Sequence, residues 1–164
     1  MVRILISACL LGEPVRYDSH ASKVEHEILN DWAEARRVVS FCPEVAGGLP
    51  APRPPAEIVG GDGEAVLSGQ AAIRTRVGDE VTQAFLEGAK KALELCRENG
   101  VRLAVMADNS PSCGSTHIHD GGFAGILRPG RGVTTALLEA NGVRVFNQHQ
   151  LRRAAAYLQS LESN

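Results

Sequence analysis

The sequence lacks long apolar runs, an excess of charge of one sign, and the cysteine density of a disulfide-stabilised scaffold. No apolar run approaches the ~20 residues that a membrane-spanning helix needs. The formal net charge of −2 gives no electrostatic reason to expect a nucleic acid or a membrane surface as partner. Four cysteines in 164 residues do not make a disulfide scaffold, so thiol chemistry or metal ligation is the better use for those in loops.

A targeting segment and a domain boundary are also missing. The start, Met1–Ile4, leads directly into a β-like run without a signal-peptide layout, which predicts a cytoplasmic protein. No internal repeat, low-complexity tract or linker divides the chain. We therefore expect a single domain over residues 1–164.

Apolar patterning predicts strands that alternate with helices. Four short apolar runs indicate buried strands, at 2–6, 37–41, 101–107 and 143–146. Apolar residues at helical spacing indicate four helices, with stripes at 24–32, 81–96, 133–140 and 151–161. This alternation is typical of a parallel sheet covered on both faces. The predicted fold class is therefore α/β, a Rossmann-like three-layer sandwich with a mostly parallel sheet.

Local signals give four finer predictions. Asp79 is expected to cap the long helix, and Asn147 with Gln150 to form a capping box before the last one. The runs 65–67 and 71–73 flank a Ser-Gly-Gln turn, which suggests a small hairpin. The proline-rich stretch 41–57 is interpreted as a rigid, extended loop.

Three of the four cysteines follow predicted strands. Cys9, Cys42 and Cys113 each lie in a loop beyond the carboxyl end of a strand, and those ends share one edge of a parallel sheet. We therefore expect the three thiols to meet there. Cys96 lies on the apolar stripe of the long helix and is expected to be a core residue.

Three thiols leave more than one chemistry open. His117 is the obvious fourth ligand for a Cys₃His zinc site. Alternatively, a 4Fe-4S cluster is held at three irons, and its fourth iron is open for substrate or water. Nucleophilic hydrolysis by a Cys/His pair ranks last, because no base is paired with a particular thiol. Glu44, two residues beyond Cys42, is either a solvated loop carboxylate or a proton-transfer group.

Several segments together resemble the thiouracil desulfidase family. Three of them in combination are highly specific: SACLLG (7–12), CPEVAGGLPAPRPPAEI (42–58) and SPSCG (110–114). RYD (16–18), DGGFAG (120–125) and GVTTALLEANGVRVF (132–146) extend the resemblance over most of the chain.

The resemblance implies an α/β enzyme whose 4Fe-4S cluster is held by the three cysteines found above, with one open iron to bind the substrate sulfur. It further implies that Glu44 transfers protons and that Ser110 is its serine partner, with Ser112 the second choice. Ser112 and Asn109 are assigned to substrate binding. This chain departs from many relatives at Val15, where they carry a cysteine.

The predicted function is therefore desulfuration of a thiolated nucleobase or nucleoside, such as 2-thiouracil, to uracil and sulfide without net redox change. Its expected partner is a small thiolated pyrimidine. Desulfuration of thiolated tRNA is an alternative, disfavoured by the lack of an appended domain and of marked positive charge. A zinc-binding Cys₃His structural or small-molecule-binding protein is the alternative from another class.

Overall fold

The computed structural model describes residues 1–163. Over these residues the strands are β1 (Ile4–Ser7), β2 (Val38–Phe41), β3 (Ala56–Val59), β4 (Ala72–Thr75), β5 (Leu103–Val105), β6 (His117–His119), β7 (Leu127–Pro129) and β8 (Arg144–Phe146). The helices are α1 (Glu27–Glu34), α2 (Pro43–Ala46), α3 (Gly63–Leu67), α4 (Thr82–Asn99), α5 (Val133–Ala140) and α6 (Leu151–Glu162). A single 3-10 turn, Ala8–Leu11, follows β1.

Four strands form a central parallel sheet in the order β2-β1-β5-β8. Side chains alternate between the two faces of this sheet, as they do along any strand. Ile4 and Ile6 face a core shared with α1 and α6, whereas Leu5 faces a second core shared with α4 and α5. The predicted α/β fold with a mostly parallel sheet between two helical layers is therefore confirmed.

All four predicted strands form the sheet, and all four predicted helices exist. The first two begin later than their predicted apolar stripes, whereas α5 and α6 begin at Val133 and Leu151, as the stripes predict. The first helix begins at Glu27 after His26, so Val24 precedes it. The long helix begins at Thr82 and ends at Asn99, and Gly100 caps it with a left-handed φ of 63°, which suits glycine. Within residues 1–163, no helix combines the length and the apolar character that crossing a bilayer requires.

The hairpin predicted over residues 65–73 is wrong in its first half. Residues 63–67 form α3, because the side chain of Asp62 accepts a hydrogen bond from Ala65 N and caps a helical turn. The second run forms β4 and pairs antiparallel with β3. Short apolar runs do not distinguish a helix from a strand, and here the cap decided.

The proline-rich stretch is only partly extended. Pro43 occupies the first position of α2, where its fixed φ favours a helix and its missing N–H costs nothing. The end of the stretch, from Ala56, belongs to β3. The prediction of one extended loop over 41–57 is therefore wrong at both ends.

Two capping predictions also need correction. Asp79 does not cap α4: its carbonyl accepts the N–H of Thr75 in the turn before the helix. The capping box is half formed. Gln150 Oε1 accepts Asn147 N at 3.1 Å, but the side chain of Asn147 accepts the N–H of His149 instead.

The antiparallel strands β6 and β7 form a hairpin that has no counterpart among the predicted elements. Its turn contains the glycine-rich residues 121–125. It is anchored by the buried carboxylate of Glu57, which accepts hydrogen bonds from Gly121 N (2.9 Å) and Phe123 N (3.1 Å).

Candidate active site at the carboxyl edge of the sheet

The three loop cysteines follow three neighbouring strands. Cys9 lies in the 3-10 turn after β1, and Cys42 is the residue between β2 and α2. Cys113 lies in the turn that follows β5. Since β2, β1 and β5 are parallel neighbours, their carboxyl ends bring these three residues to the same edge of the sheet.

The three thiols lie close enough to influence one another's pKa. None of them is in a disulfide; Cys113 is buried, and Cys9 and Cys42 are half-buried. Burial, and then the charge of Cys42, raise the pKa of Cys9 to about 11. Burial also raises the pKa of Cys113, reinforced by Cys42, Glu44 and Cys9. Burial likewise raises the pKa of Cys42.

These raised pKa values bear on the hydrolase alternative. A cysteine nucleophile is normally activated by a lowered pKa or by an adjacent base. The pKa of each thiol at this edge is shifted the other way. The arrangement therefore does not favour Cys/His hydrolysis.

Glu44 lies in the first turn of α2, two residues after Cys42. Arg53 Nε and Nη2 both lie 3.2 Å from Glu44 Oε1. The two side chains are 16% and 5% exposed for Glu44 and Arg53. Burial raises the pKa of the Glu44 carboxyl, although the neighbouring Arg53 acts in the opposite direction. A carboxyl group whose pKa is raised in this way suits proton transfer.

Ser110 organises the turn that carries Cys113. Its Oγ accepts hydrogen bonds from Ser112 N at 3.1 Å and from Cys113 N at 2.8 Å. A hydroxyl has two acceptor lone pairs and one donor hydrogen, so both acceptor positions are in use. Ser110 is therefore left with a hydroxyl hydrogen to donate.

Ser112 has a different environment. Its side chain is 0% exposed, and its Oγ lies 2.8 Å from Thr134 Oγ1. Its carbonyl accepts Thr134 N and Thr135 N at the start of α5, and Thr135 Oγ1 donates to the carbonyl of Cys113. The start of α5 thus supports the Cys113 turn.

Asn109 precedes Ser110 in a left-handed conformation, with φ 76°. Its backbone forms a parallel bridge with Ile118, the middle residue of β6. Its N–H donates to Asp108 Oδ1. The backbone of this residue therefore links the Cys113 turn to the β6–β7 hairpin.

The remaining candidates lie elsewhere. Cys96 is 1% exposed in α4 and packs in the core shared by α4 and α5, as predicted. His117 is exposed, and its Nδ1 lies 3.1 Å from Thr116 Oγ1. No contact joins His117 to the three cysteines among residues 1–163, so the zinc alternative gains no fourth ligand there.

The three loop cysteines can be compared with the ligands that a 4Fe-4S cluster, the cofactor implied by the sequence, requires. Over residues 1–163, no three His, Cys, Asp or Glu side chains are placed to hold a single metal ion. A 4Fe-4S cluster differs from a single ion, because its thiolate ligands bind separate iron atoms. Three unpaired cysteines on neighbouring strand ends fit that soft, multi-iron group better than they fit one zinc ion.

Sequence reasoning missed the residues that support the site. Arg53 was visible in the proline-rich stretch, and Thr134 and Thr135 in GVTTALLEANG, but no pattern assigned them a role. Arg53 contacts Glu44 across nine residues, and the two threonines contact Ser112 and Cys113 across 22 residues, separations that no local pattern covers.

The fold and the site together define an α/β protein with a cysteine-based site at the carboxyl edge of its parallel sheet. The sequence matches the model of the 2-thiouracil desulfurase family over residues 4–150. It is 44% identical over 149 residues to the uncharacterized protein YbbK of Bacillus subtilis (strain 168), covering 90% of this chain and 97% of YbbK.

A solved structure has the same fold. It is a 4Fe-4S-dependent thiouracil desulfidase, TudS, which superposes with a TM-score of 0.88 at 44% sequence identity. The match covers 97% of this chain and 99% of that one. The chain belongs to the 2-thiouracil desulfurase family.

Proposed function

We propose that this protein hydrolyses the thiocarbonyl group of a small thiolated pyrimidine such as 2-thiouracil, with a 4Fe-4S cluster as cofactor. Water replaces sulfur on the ring carbon, so the products are uracil and sulfide, and no electrons are exchanged. One observation carries the proposal: three unpaired cysteines follow the neighbouring parallel strands β2, β1 and β5. Membership of the 2-thiouracil desulfurase family supports it.

The ligands of the proposed cluster are Cys9, Cys42 and Cys113. When bound, the cluster supplies an iron without a protein ligand, which acts as a Lewis acid toward the substrate sulfur. Thiols must lose their protons to bind iron. The positive charge of the iron ions would therefore have to offset the effect of burial, which raises the pKa of these cysteines.

Glu44 is the proposed acid and base. Its carboxylate accepts a proton from the attacking water and then donates a proton to the departing sulfur. This cycle leaves the carboxylate as it began. The remaining hydroxyl proton leaves to solvent as the C=O bond forms and the C–S bond breaks, so sulfur departs as HS⁻. The position of Glu44 in the turn directly after Cys42, and its electrostatic effect on Cys113, support this role.

Ser110 is the proposed hydroxyl partner. Because its Oγ already accepts two backbone N–H groups, its hydrogen is left to donate to the water, the base ring or Glu44. Asn109 and Ser112 stay the predicted substrate-binding residues. The Ser112 hydroxyl is engaged by Thr134, so Ser112 would act through the turn that it stabilises.

The substrate is proposed to be a free base or nucleoside, not tRNA. The net charge of −2 gives no electrostatic reason to favour a partner with a phosphate backbone. We further propose that residues 1–164 act as a single domain. Cytoplasmic location stays a prediction from the N-terminal sequence.

Anaerobic reconstitution followed by an assay on a panel of thiolated bases, nucleosides and tRNA tests this proposal. We expect a broad visible absorption band, about four irons per chain, and uracil and sulfide in equal amounts from 2-thiouracil. Colourless protein that binds one zinc would contradict it and favour the structural alternative.

The role of Glu44 has its own test. Glu44→Gln is expected to keep the iron and the visible spectrum but lose about 10²–10⁴-fold in kcat, the usual contribution of general acid–base catalysis. Glu87→Gln, on the exposed face of α4, is the matched control and should retain activity. Unchanged turnover of Glu44→Gln with the cluster intact would remove Glu44 from the mechanism.

A further inference from the structure

We infer that Arg53 is a positioning residue for Glu44: it holds one carboxylate oxygen, Oε1, and leaves the other, Oε2, as the oxygen that faces the substrate. The inference rests on the proposed role of Glu44 in desulfuration. Among residues 1–163, the hydrogen bonds of the Arg53 side chain go to Glu44, Pro50 and Val15 and to no cysteine. Its charge also lowers the pKa of Cys42, an effect that a lysine at this position would keep.

The contact between the two residues is one-sided. Arg53 Nε and Nη2 both lie 3.2 Å from the same oxygen, Glu44 Oε1. In the part of the chain that the structure describes, Glu44 Oε2 has no hydrogen-bond partner, yet it is not among the fully buried unpaired atoms. The Glu44 side chain is 16% exposed. The guanidinium therefore distinguishes the two oxygens and leaves Oε2 accessible.

Arg53 is itself held in place from several sides. Its Nη1 donates to the carbonyl of Pro50 at 2.9 Å, and its Nη2 donates to the carbonyl of Val15 at 3.0 Å. Its backbone N–H donates to the carbonyl of Tyr17 at 2.6 Å. All three guanidinium nitrogens are thus used, and the side chain is only 5% exposed. A planar fork held this way cannot rotate without breaking bonds to more than one segment.

These contacts also join the two halves of the site. Val15 and Tyr17 belong to the segment that follows the Cys9 turn, whereas Glu44 belongs to the turn that Cys42 begins. Arg53 therefore couples the position of Glu44 to the segment after the first cysteine. A purely local loop contact would not reach both.

Arg53→Lys is the sharpest test, because lysine keeps the positive charge but has one ammonium in place of the planar fork. It cannot bind Oε1 with two nitrogens and also reach the carbonyls of Pro50 and Val15. We expect kcat to fall roughly 100-fold, since small misplacements of catalytic groups have effects of that order. KM, iron content and the visible spectrum should stay within about twofold of wild type, because uniform binding is unaffected.

Arg131→Lys is the matched control. Arg131 also pairs with two carboxylates, Glu64 and Glu139, but it is 40% exposed and its side-chain partners lie in α3 and α5, outside the proposed catalytic groups. Its replacement should leave kcat unchanged. A fall in kcat equal to that of Arg53→Lys would show that losing any such ion pair impairs the enzyme, and would overturn the inference.

A double-variant cycle distinguishes positioning from a general structural effect. If Arg53 acts through Glu44, then Arg53→Lys has little further effect on kcat in a Glu44→Gln background, since residues that act as a unit are not additive. A loss of the same size in both backgrounds would overturn the inference. So would an effect on KM alone.

Hydrogen exchange separates this inference from the proposed function. In the anaerobically purified protein, Arg53→Lys should speed amide exchange in both 43–47 and 15–17, whereas Arg131→Lys should not. If wild type shows no desulfidase activity but exchange responds in both segments, the proposed reaction fails and the positioning geometry stands. Unchanged exchange in either segment overturns the positioning itself.

Discussion

Gly88 in α4 lies so close to Pro43 in α2 that a Cβ on Gly88 would stand 1.9 Å from the Pro43 carbonyl oxygen. The contact is reciprocal, because a Cβ on Gly47 would stand 2.0 Å from the Ala84 carbonyl oxygen. The two helices thus meet backbone to backbone. The short helix that begins after Cys42 therefore rests directly on the longest helix of the protein.

Gly88→Ala is expected to displace α2 and so disturb cluster binding as well as stability. The new methyl group meets backbone, which cannot move aside as a side chain can, and overpacking of this kind costs about 1–3 kcal/mol or more. This loss outweighs the roughly 1 kcal/mol that alanine gains over glycine in a helix. Urea unfolding and iron content after reconstitution measure both effects.

Lys90→Ala, two residues further along α4 on its exposed face, is the control for Gly88→Ala. Surface substitutions of this kind change stability by about 0.5 kcal/mol or less. If Gly88→Ala is as stable as wild type and binds iron normally, α2 is not located by this contact.

Ser110→Ala and Ser112→Ala should affect different kinetic parameters. Ser110→Ala removes the hydroxyl donor proposed for catalysis, so kcat should fall with iron retained. Ser112→Ala leaves the buried Thr134 hydroxyl without its partner, which costs about 1–3 kcal/mol of stability, and should raise KM more than it lowers kcat. Steady-state kinetics with thermal unfolding separates the two; the reverse pattern would make Ser112 the catalytic serine.

The four cysteines should divide into three that hold iron and one that does not. Single Cys→Ser variants at Cys9, Cys42 and Cys113 are expected to lose the visible absorption band and most of the iron. Cys96→Ala should keep both and lose about 0.5–3 kcal/mol of stability, as core substitutions do. Iron analysis under anaerobic conditions decides; loss of the cluster in Cys96→Ala would contradict the assignment.

Asp108 makes the fold sensitive to acid. Burial raises the pKa of its carboxyl, but hydrogen bonds from the Thr116 hydroxyl and from the backbone N–H groups of Ser115, Thr116 and Asn109 outweigh this, and the pKa is lowered overall. A carboxyl whose pKa is lower in the folded state adds stability above its unfolded pKa of about 3.9. That stability is lost as the pH falls through the folded value.

The Asp108→Asn variant should therefore be less stable than wild type at pH 7, and the difference should shrink as the pH falls below about 4. Urea unfolding of the reduced, metal-free protein across this range measures it without interference from cluster loss. Asp79→Asn, at an exposed turn, is the control. A difference that is constant with pH would mean that Asp108 contributes through shape and not through charge.

Local patterns were enough to predict the elements that form the sheet. Val38 and Val39, or Leu103 and Val105, lie in short β-branched and apolar runs. Such runs indicate a strand from neighbouring residues alone. The hairpin at residues 65–73 failed for the complementary reason. Its apolar runs are too short to carry a period, so the cap at Asp62 decided the structure.

The sequence by itself determined that three cysteines end up beyond strand ends, because strand periodicity and the loop residues after it are encoded within a few neighbouring positions. Only the tertiary structure decided that these strands are adjacent in the order β2-β1-β5. The tertiary structure also decided that Arg53 binds one oxygen of Glu44 and that the backbone of Gly88 contacts that of Pro43. Such contacts depend on how whole helices and loops pack, and no local pattern records the distance between residues that packing brings together.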